Sequence, residues 1–253
     1  PEARRIVDLG VERAADLVRA GDDEPLAREI LRALAERAPT REARELAQVY
    51  LAWLDARVPG SPKAKEAERK LRELHGEGRT DDPARRAGIY LGELLLRRGD
   101  ASGAREVLER LDAADGHRKH AGARSVASGA RSLRFDHLLK ERRLTEASDE
   151  LDLWRWELPA DYLTGVLQIA GARLRLAEGR PAGALRELES VWKLERAARE
   201  LPRALLLAAT AAEAQGDETG ARERLERIVR EFPHRPESRD AAAGLERLGK
   251  STQ

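Results

Sequence analysis

The chain has 253 residues, of which 37% are charged and 4% aromatic, and its 47 basic residues nearly balance its 46 acidic residues. A formal net charge of +1, with no block of basic residues, argues against a nucleic-acid-binding protein, in which Lys and Arg gather on one face. Cys is absent, so the sequence excludes disulfides, thiolate nucleophiles and zinc–thiolate sites. No apolar run approaches the roughly 18 residues of a membrane-spanning helix, and we expect no membrane span.

An apolar triplet of the form Ala-x3-Leu-x2-apolar recurs seven times along the chain. Spacings of four and then three residues place its side chains on one stripe of a helix. The first six Ala lie 40, 37, 43, 37 and 37 residues apart, close to the length of one helical hairpin. Such a period predicts a solenoid, in which each hairpin buries its apolar stripe against its neighbours. The triplets are Ala27–Leu31–Leu34, Ala67–Leu71–Leu74, Ala104–Leu108–Leu111, Ala147–Leu151–Trp154, Ala184–Leu188–Val191, Ala221–Leu225–Ile228 and Ala241–Leu245–Leu248.

In chain order, the periodicity and the turn residues predict an all-α chain of six helical hairpins and one final helix. The second helix of each hairpin carries the triplet, and no segment shows the alternation of a β-strand. The predicted helices cover 3–20 and 25–38, 40–57 and 62–75, 83–98 and 101–114, 120–141 and 144–157, 160–178 and 181–196, 199–215 and 218–231, and finally 236–248.

Glycine marks several of the turns inside these hairpins. Gly99, Gly179 and Gly216 each stand where a residue in the left-handed conformation would end the incoming helix. Asp or Pro follows within two residues, and both residue types commonly begin a helix. We therefore expect tight turns at these three positions.

The two ends of the chain differ in their apolar surface. The apolar residues of the first helix cover about 240° of its circumference at 100° per residue, which predicts that it is covered on two sides. We expect the natural protein to continue before Pro1, with further repeats or another domain packed there; the alternative is a helix wedged between two later ones. The last helix has one narrow stripe, as a terminal cap requires. The apolar residues of the first helix are Ile6, Val7, Leu9, Val11, Ala14, Ala15, Leu17 and Val18.

The unit pattern resembles the tetratricopeptide repeat family over essentially the whole chain. The spacing of 37 to 43 residues exceeds that family's usual period of about 34, and Leu and Ala replace most of its aromatic residues. The resemblance implies one repeat domain over residues 1–253: a right-handed α-solenoid of about six antiparallel helix pairs with a C-terminal capping helix. The two best units run through Leu91, Gly92, Gly99, Asp100, Ala104, Leu108 and Leu111, and through Ala208, Ala209, Gly216, Asp217, Ala221, Leu225, Ile228 and Pro233.

In that family, ligands commonly lie in a groove lined by the first helices of the pairs, and the resemblance implies a set of groove residues here. Their mixed charges, without an aromatic platform, predict a polar peptide or protein partner; the alternative is an ordinary solvated helix face. The family's clamp for C-terminal carboxylates uses Asn, which this chain lacks, so that clamp is not expected. The candidate partner-binding residues are Arg86, Glu93, Arg97, Asp136, Lys140, Arg173, Arg203 and Glu213.

Trp156 is a second candidate for partner binding. It follows Trp154, the last residue of a triplet and therefore an expected core residue, by two positions, which places it roughly on the opposite side of the helix. An exposed Trp is a frequent hot spot in protein interfaces. The alternative is that Trp156 packs against the next hairpin.

A possible metal site lies in the longest step of the repeat. Asp112, Asp115, His117 and His120 have side chains that bind divalent metals. Two basic residues lie between the two His and oppose a bound cation, so a solvated loop is the simpler interpretation. We predict no metal and no other cofactor.

No catalytic pattern is visible, because none of the five His falls in a nucleophile-elbow or metalloprotease motif. We predict a non-enzymatic scaffold that binds a partner protein or peptide along its surface, or a missing N-terminal region of its own chain. The alternative is an accessory domain that positions the catalytic part of a larger enzyme or belongs to an envelope transport assembly. The absence of Cys leaves the compartment open, with a bacterial extracytoplasmic setting slightly favoured over the cytoplasm.

Overall fold

A computed structural model describes residues 24–57, 61–115, 124–194 and 199–251, together with residues 10, 14 and 17. Every regular element in these ranges is a helix, which confirms the predicted all-α fold class. Within the same ranges, no helix is long and apolar enough to cross a membrane.

The helices are numbered in chain order through the described ranges. They are α1 (Glu24–Arg37), α2 (Arg41–Ala56), α3 (Pro62–His75), α4 (Asp82–Arg97), α5 (Ala101–Asp115), α6 (Arg124–Lys140), α7 (Leu144–Glu157), a 3-10 helix (Pro159–Thr164), α8 (Val166–Ala177), α9 (Pro181–Val191), α10 (Leu201–Glu213), α11 (Glu218–Glu231) and α12 (Pro236–Ser251).

The chain divides into two compact units, Pro1–Lys140 and Glu141–Gln253. We call them the N-terminal unit, which contains α1 to α6, and the C-terminal unit, which contains α7 to α12. The single repeat domain expected over residues 1–253 stays a prediction.

Both units follow the same packing rule. In the N-terminal unit, α2 packs against α1, α3 and α4, and α4 packs against α3, α5 and α6. In the C-terminal unit, α8 packs against α9 and α10, and α10 packs against α11 and α12. The first helix of a hairpin therefore contacts both its own partner and the first helix of the next hairpin, as in other helical repeats.

The predicted triplets form the cores of both units. Every triplet residue is buried except Leu34 and Leu245, which are half-buried and pack against the neighbouring core. Each fully buried Leu contributes about 1.5–3 kcal/mol relative to an exposed one, so the repeated stripe contributes substantially to stability.

Three hairpin turns share one construction. Gly99, Gly179 and Gly216 have φ values of 83°, 72° and 78°, in the left-handed region that favours glycine. In each turn, the next residue's N–H bonds the carbonyl five residues earlier, at 2.9, 2.8 and 3.0 Å, which closes the helix end. Asp100 and Asp217 then accept an N–H three residues onward and begin α5 and α11.

The helix predicted over 160–178 is in fact two elements. Gly165, with a φ of 83°, separates the 3-10 helix from α8. The indole N–H of Trp154 on α7 donates to Asp161 Oδ2 at 2.9 Å and holds the 3-10 turn in place. This buried hydrogen bond is a tertiary contact, so the local sequence pattern does not reveal it.

The helix predicted over 181–196 is shorter than expected. Regular α-helix ends at Val191, and the N–H of Lys193 then bonds the carbonyl of Ser190 at 3.2 Å in a tighter turn. The triplet that ends at Val191 is complete at this point, so the chain leaves the helix once its apolar stripe is buried.

Most of the first predicted helix lies outside the described residues. Ala14 and Leu17 are described, and both are buried in a cluster with residues of α1 and α2. The further covering expected for this helix stays a prediction. Its other apolar residues, which lie outside the described part of the chain, are Ile6, Val7, Leu9, Val11, Ala15 and Val18.

Candidate functional site

The helix α4 leaves one narrow line of side chains uncovered. Because α4 packs against four other helices, most of its residues are buried. Apart from the half-buried Arg85, its less buried residues recur every three or four positions and share an arc of about 80° at 100° per residue. We call this line the α4 stripe; it consists of Asp82, Arg86, Tyr90, Glu93 and Arg97.

Arg86 links the α4 stripe to α2. Its Nε donates to Asp82 Oδ2 at 2.8 Å, and its Nη1 donates to Tyr50 Oη on α2 at 3.1 Å. Burial opposes its charge, but Tyr50 and Asp82 together hold the pKa of Arg86 above its ordinary value. Arg86 is thus a cation fixed between two helices, and it supports the stripe more than it offers a free charge.

Arg97 and Glu93 form the open end of the stripe. The side chain of Arg97 is 57% exposed, and its Nη2 lies 3.9 Å from Glu93 Oε2. A pair at this distance between an exposed Arg97 and a half-buried Glu93 contributes little to stability, so a partner could replace the Arg97 contact at small cost. Arg97 is therefore the stripe residue best placed to contact another molecule.

An aromatic cluster lies at the middle of the stripe. The Tyr90 ring is 4.8 Å from the Trp53 ring and 5.8 Å from the Tyr50 ring, centroid to centroid. The Arg57 guanidinium lies 4.6 Å from the centre of the Trp53 ring, a cation–π contact. The expectation of a groove without an aromatic platform is therefore wrong for the N-terminal unit.

The repeat period contains the signal for this cluster. Trp53 and Tyr90 lie 37 residues apart, the same step that separates Ala67 from Ala104 in the corresponding triplets. Equivalent positions of successive hairpins lie side by side, so aromatic residues at that spacing meet.

The other candidates lie on other helices of the two units. Asp136 is half-buried and Lys140 exposed on α6, which packs against α4. In the C-terminal unit, Arg173 is half-buried on α8, while Arg203 and Glu213 stand at opposite ends of α10, about 15 Å apart along the helix. That these residues line one groove stays a prediction.

The two α10 candidates already have charged neighbours. Arg203 Nη1 lies 4.0 Å from Glu200 Oε2. Glu213 accepts hydrogen bonds from Arg247 Nη2 of α12 at 3.1 and 3.0 Å, so it joins two helices.

Trp156 is among the most exposed large apolar side chains of the described residues. It is 83% exposed, whereas Trp154, two residues earlier, is 1% exposed. The alternative that Trp156 packs against the next hairpin is therefore wrong. Its exposure agrees with a partner-binding role, which itself stays a prediction.

Sequence reasoning missed three further exposed residues near Trp156. Leu153 lies one turn earlier on α7, and Tyr162 and Leu163 lie on the 3-10 helix that packs against α7. Leu153 at three residues from Trp156 was a usable signal, because residues at this spacing share a helix face. Tyr162 and Leu163 depend on the 3-10 turn and had no such signal.

The possible metal site has no support among the described residues. No group of three or more His, Cys, Asp or Glu in these ranges could hold a metal ion. His117 and His120 lie outside the described residues, so the structure does not test that part of the hypothesis.

These features define a class before any comparison: a protein of stacked helical hairpins, with candidate binding residues on uncovered helix faces. Residues 203–234 match the family model of the tetratricopeptide repeat. The matched span contains most of α10, the Gly216 turn and α11, and it includes Arg203 and Glu213. The match supports the tetratricopeptide-repeat-like family predicted for the chain, whose repeats generally mediate protein–protein interactions. No curated protein matches the chain significantly.

Proposed function

We propose that the chain is a non-enzymatic scaffold that binds a partner protein or peptide along the first helices of its hairpins. The observation that carries this proposal is the α4 stripe, a polar and aromatic line on a helix whose other residues, apart from the half-buried Arg85, are buried. Helical repeats commonly bind along the row formed by equivalent helices, and the α4 stripe lies on such a helix.

The chemistry of the stripe favours a polar peptide with at least one apolar or aromatic side chain. Arg97 and Glu93 supply one charge of each sign at the open end. The half-buried Trp53 and Tyr90 supply an apolar surface beside them, which would pack against a side chain of the partner. In the C-terminal unit, Arg173 supplies a further charge on the equivalent first helix α8.

The proposal is tested by charge reversal on the first helices. The chain is used as bait in an extract of its source organism, and the captured proteins are identified and quantified. We expect the Arg97→Glu/Arg173→Glu variant to lose the specific partner about tenfold or more, because it reverses a charge in each unit.

A matched control keeps the charge change but moves it to other helices. Arg32 on α1 and Arg239 on α12 are both exposed, and Arg32→Glu/Arg239→Glu should retain the partner. Equal partner levels in the two double variants would remove the first helices as the binding surface. Recovery of the subunits of one enzyme as the partner would favour the accessory-domain alternative.

A further inference from the structure

The helix α7 has two faces of opposite character. Its buried residues are Ala147, Glu150, Leu151 and Trp154, all on the side that packs into the C-terminal unit. Its exposed residues share an arc of about 120° on the other side at 100° per residue. We call this side the α7 face; it consists of Thr145, Glu146, Asp149, Asp152, Leu153 and Trp156.

The charged part of the α7 face is acidic. Glu146 accepts hydrogen bonds from Arg143, and this contact lowers the pKa of its carboxyl group. Asp152 lies 3.1 Å from Arg155, in an exposed pair that a partner could replace at little cost. Asp149 lies between these two carboxylates on the same arc. Three acidic residues thus follow one line of the helix.

The apolar part of the face begins where the acidic line ends. Trp156 is 83% exposed, and Leu153 lies one turn away on the same side. The 3-10 helix exposes Tyr162 and Leu163 next along the chain, and the Trp154–Asp161 hydrogen bond fixes that helix to α7. Because the 3-10 helix is already held in place, binding a partner costs less conformational entropy.

We infer that the α7 face binds a basic amphipathic helix of a partner protein. Such a helix would place Lys or Arg opposite Glu146, Asp149 and Asp152, and apolar side chains against Leu153 and Trp156. The inference goes beyond the proposed function, because it concerns a different surface from the α4 stripe.

The charge of the face decides between possible occupants. An anionic membrane or a nucleic acid would meet three carboxylates of its own sign. Within the described part of the chain, only Glu146 and Asp152 of these are paired, with Arg143 and Arg155. A second copy of the chain, docked face to face, would offer only the same α7 face, which contains no basic residue to pair with the acidic line. A basic partner gains from both halves of the surface, because it neutralises the acidic line and buries the apolar end.

The test uses the full chain and three synthetic 16-residue peptides. The first peptide has Leu at spacings of three and four residues, which share one face of a helix, and Lys at the other positions. The second peptide has Glu in place of every Lys. The third has the composition of the first in scrambled order. We expect saturable binding of the first peptide alone, with an affinity that falls as salt rises. Equal binding of the Lys and Glu peptides, or no saturable binding of the Lys peptide, overturns the inference.

Variants locate the binding. Trp156→Ala and Asp149→Lys/Asp152→Lys should each weaken binding of the Lys peptide about tenfold or more. The matched controls are Trp192→Ala on the partly exposed Trp192 and Glu223→Lys/Glu226→Lys on α11, which should stay within about twofold of wild type. Wild-type affinity in the Trp156 variant, or equal losses in the controls, contradicts the assignment.

A further variant separates this inference from the proposed function. Arg97→Glu/Arg173→Glu should bind the Lys peptide as wild type does, because neither residue belongs to the α7 face. If that variant keeps its cellular partner while Trp156→Ala loses the Lys peptide, the first-helix proposal fails and the α7 inference stands.

Discussion

The α4 stripe and the α7 face are both uncovered helix surfaces, but their side chains are in different states. On α4, Arg86 already bonds Asp82 and Tyr50, and the Tyr90 ring packs against Trp53. On α7, Trp156 is almost fully exposed, next to a line of carboxylates. The α4 stripe therefore stabilises the fold as well as offering a surface, whereas the α7 face contributes little to the fold. Mutations on the α4 stripe should therefore lower the free energy of unfolding more than mutations on the α7 face.

The largest expected effect separates the two tryptophans of α7. Trp154→Ala should lower the free energy of unfolding by about 3–5 kcal/mol, because it empties a buried site and removes the indole donor to Asp161. Trp156→Ala should change it by less than about 0.5 kcal/mol. Urea unfolding followed by circular dichroism measures both, and equal losses would show that Trp156 also supports the fold.

A glycine of α4 tests how tightly that helix is packed. A Cβ added to Gly92 would lie 2.5 Å from Cδ2 of the buried Leu133 on α6. Gly92→Ala should therefore cost about 1–3 kcal/mol despite the better helix propensity of Ala. Gly183→Ala on α9, where the nearest atom would be 3.5 Å away, should be neutral or stabilising by up to about 1 kcal/mol. A stable Gly92 variant would mean that the Leu133 side chain can shift to make room for the added methyl group.

The two arginines of the α4 stripe should differ in the same assay. Arg86→Met should cost about 1–2 kcal/mol, since it removes hydrogen bonds to Asp82 and Tyr50 in a half-buried position. Arg97→Met should cost less than about 0.5 kcal/mol. If Arg86→Met is as stable as wild type, Arg86 is available to a partner and the stripe is a freer surface than described.

The smallest effect is a pH dependence from His75, which packs beside Gly88 of α4. Burial lowers the pKa of His75, even though its Nδ1 lies 3.1 Å from the Ala84 carbonyl oxygen. The unfolded chain binds this proton first, so His75 should lower stability as pH falls below about 6.5, by at most ~1.4 kcal/mol per pH unit. Above that pH its contribution is constant. His75→Phe should show a shallower loss between pH 7 and pH 5.5, and parallel curves would contradict the assignment.

The sequence was sufficient for the fold class and for the buried side of each described hairpin. The triplet spacing identifies the residues that pack inward, and Gly99, Gly179 and Gly216 mark turns that only a left-handed residue closes easily. These features are local, so they can be read from one chain.

The sequence did not predict which helix surfaces are exposed. A triplet shows which side of a helix is buried, but it does not show whether a neighbour covers the opposite side. The exposure of Trp156 therefore could not be predicted from the triplet. The break at Gly165 depends on the bond between Trp154 and Asp161, which lie on different elements. The contact between Trp53 and Tyr90 could have been predicted, but only if the repeat period had been applied to the first helices as well as to the triplets.

The measurement that tests the central claim most directly is titration of the purified partner against three forms of the chain. These forms are wild type, Arg97→Glu/Arg173→Glu and the control Arg32→Glu/Arg239→Glu. A scaffold that binds along its first helices predicts a dissociation constant about tenfold or more higher for the first variant alone. An unchanged dissociation constant for that variant would contradict the account.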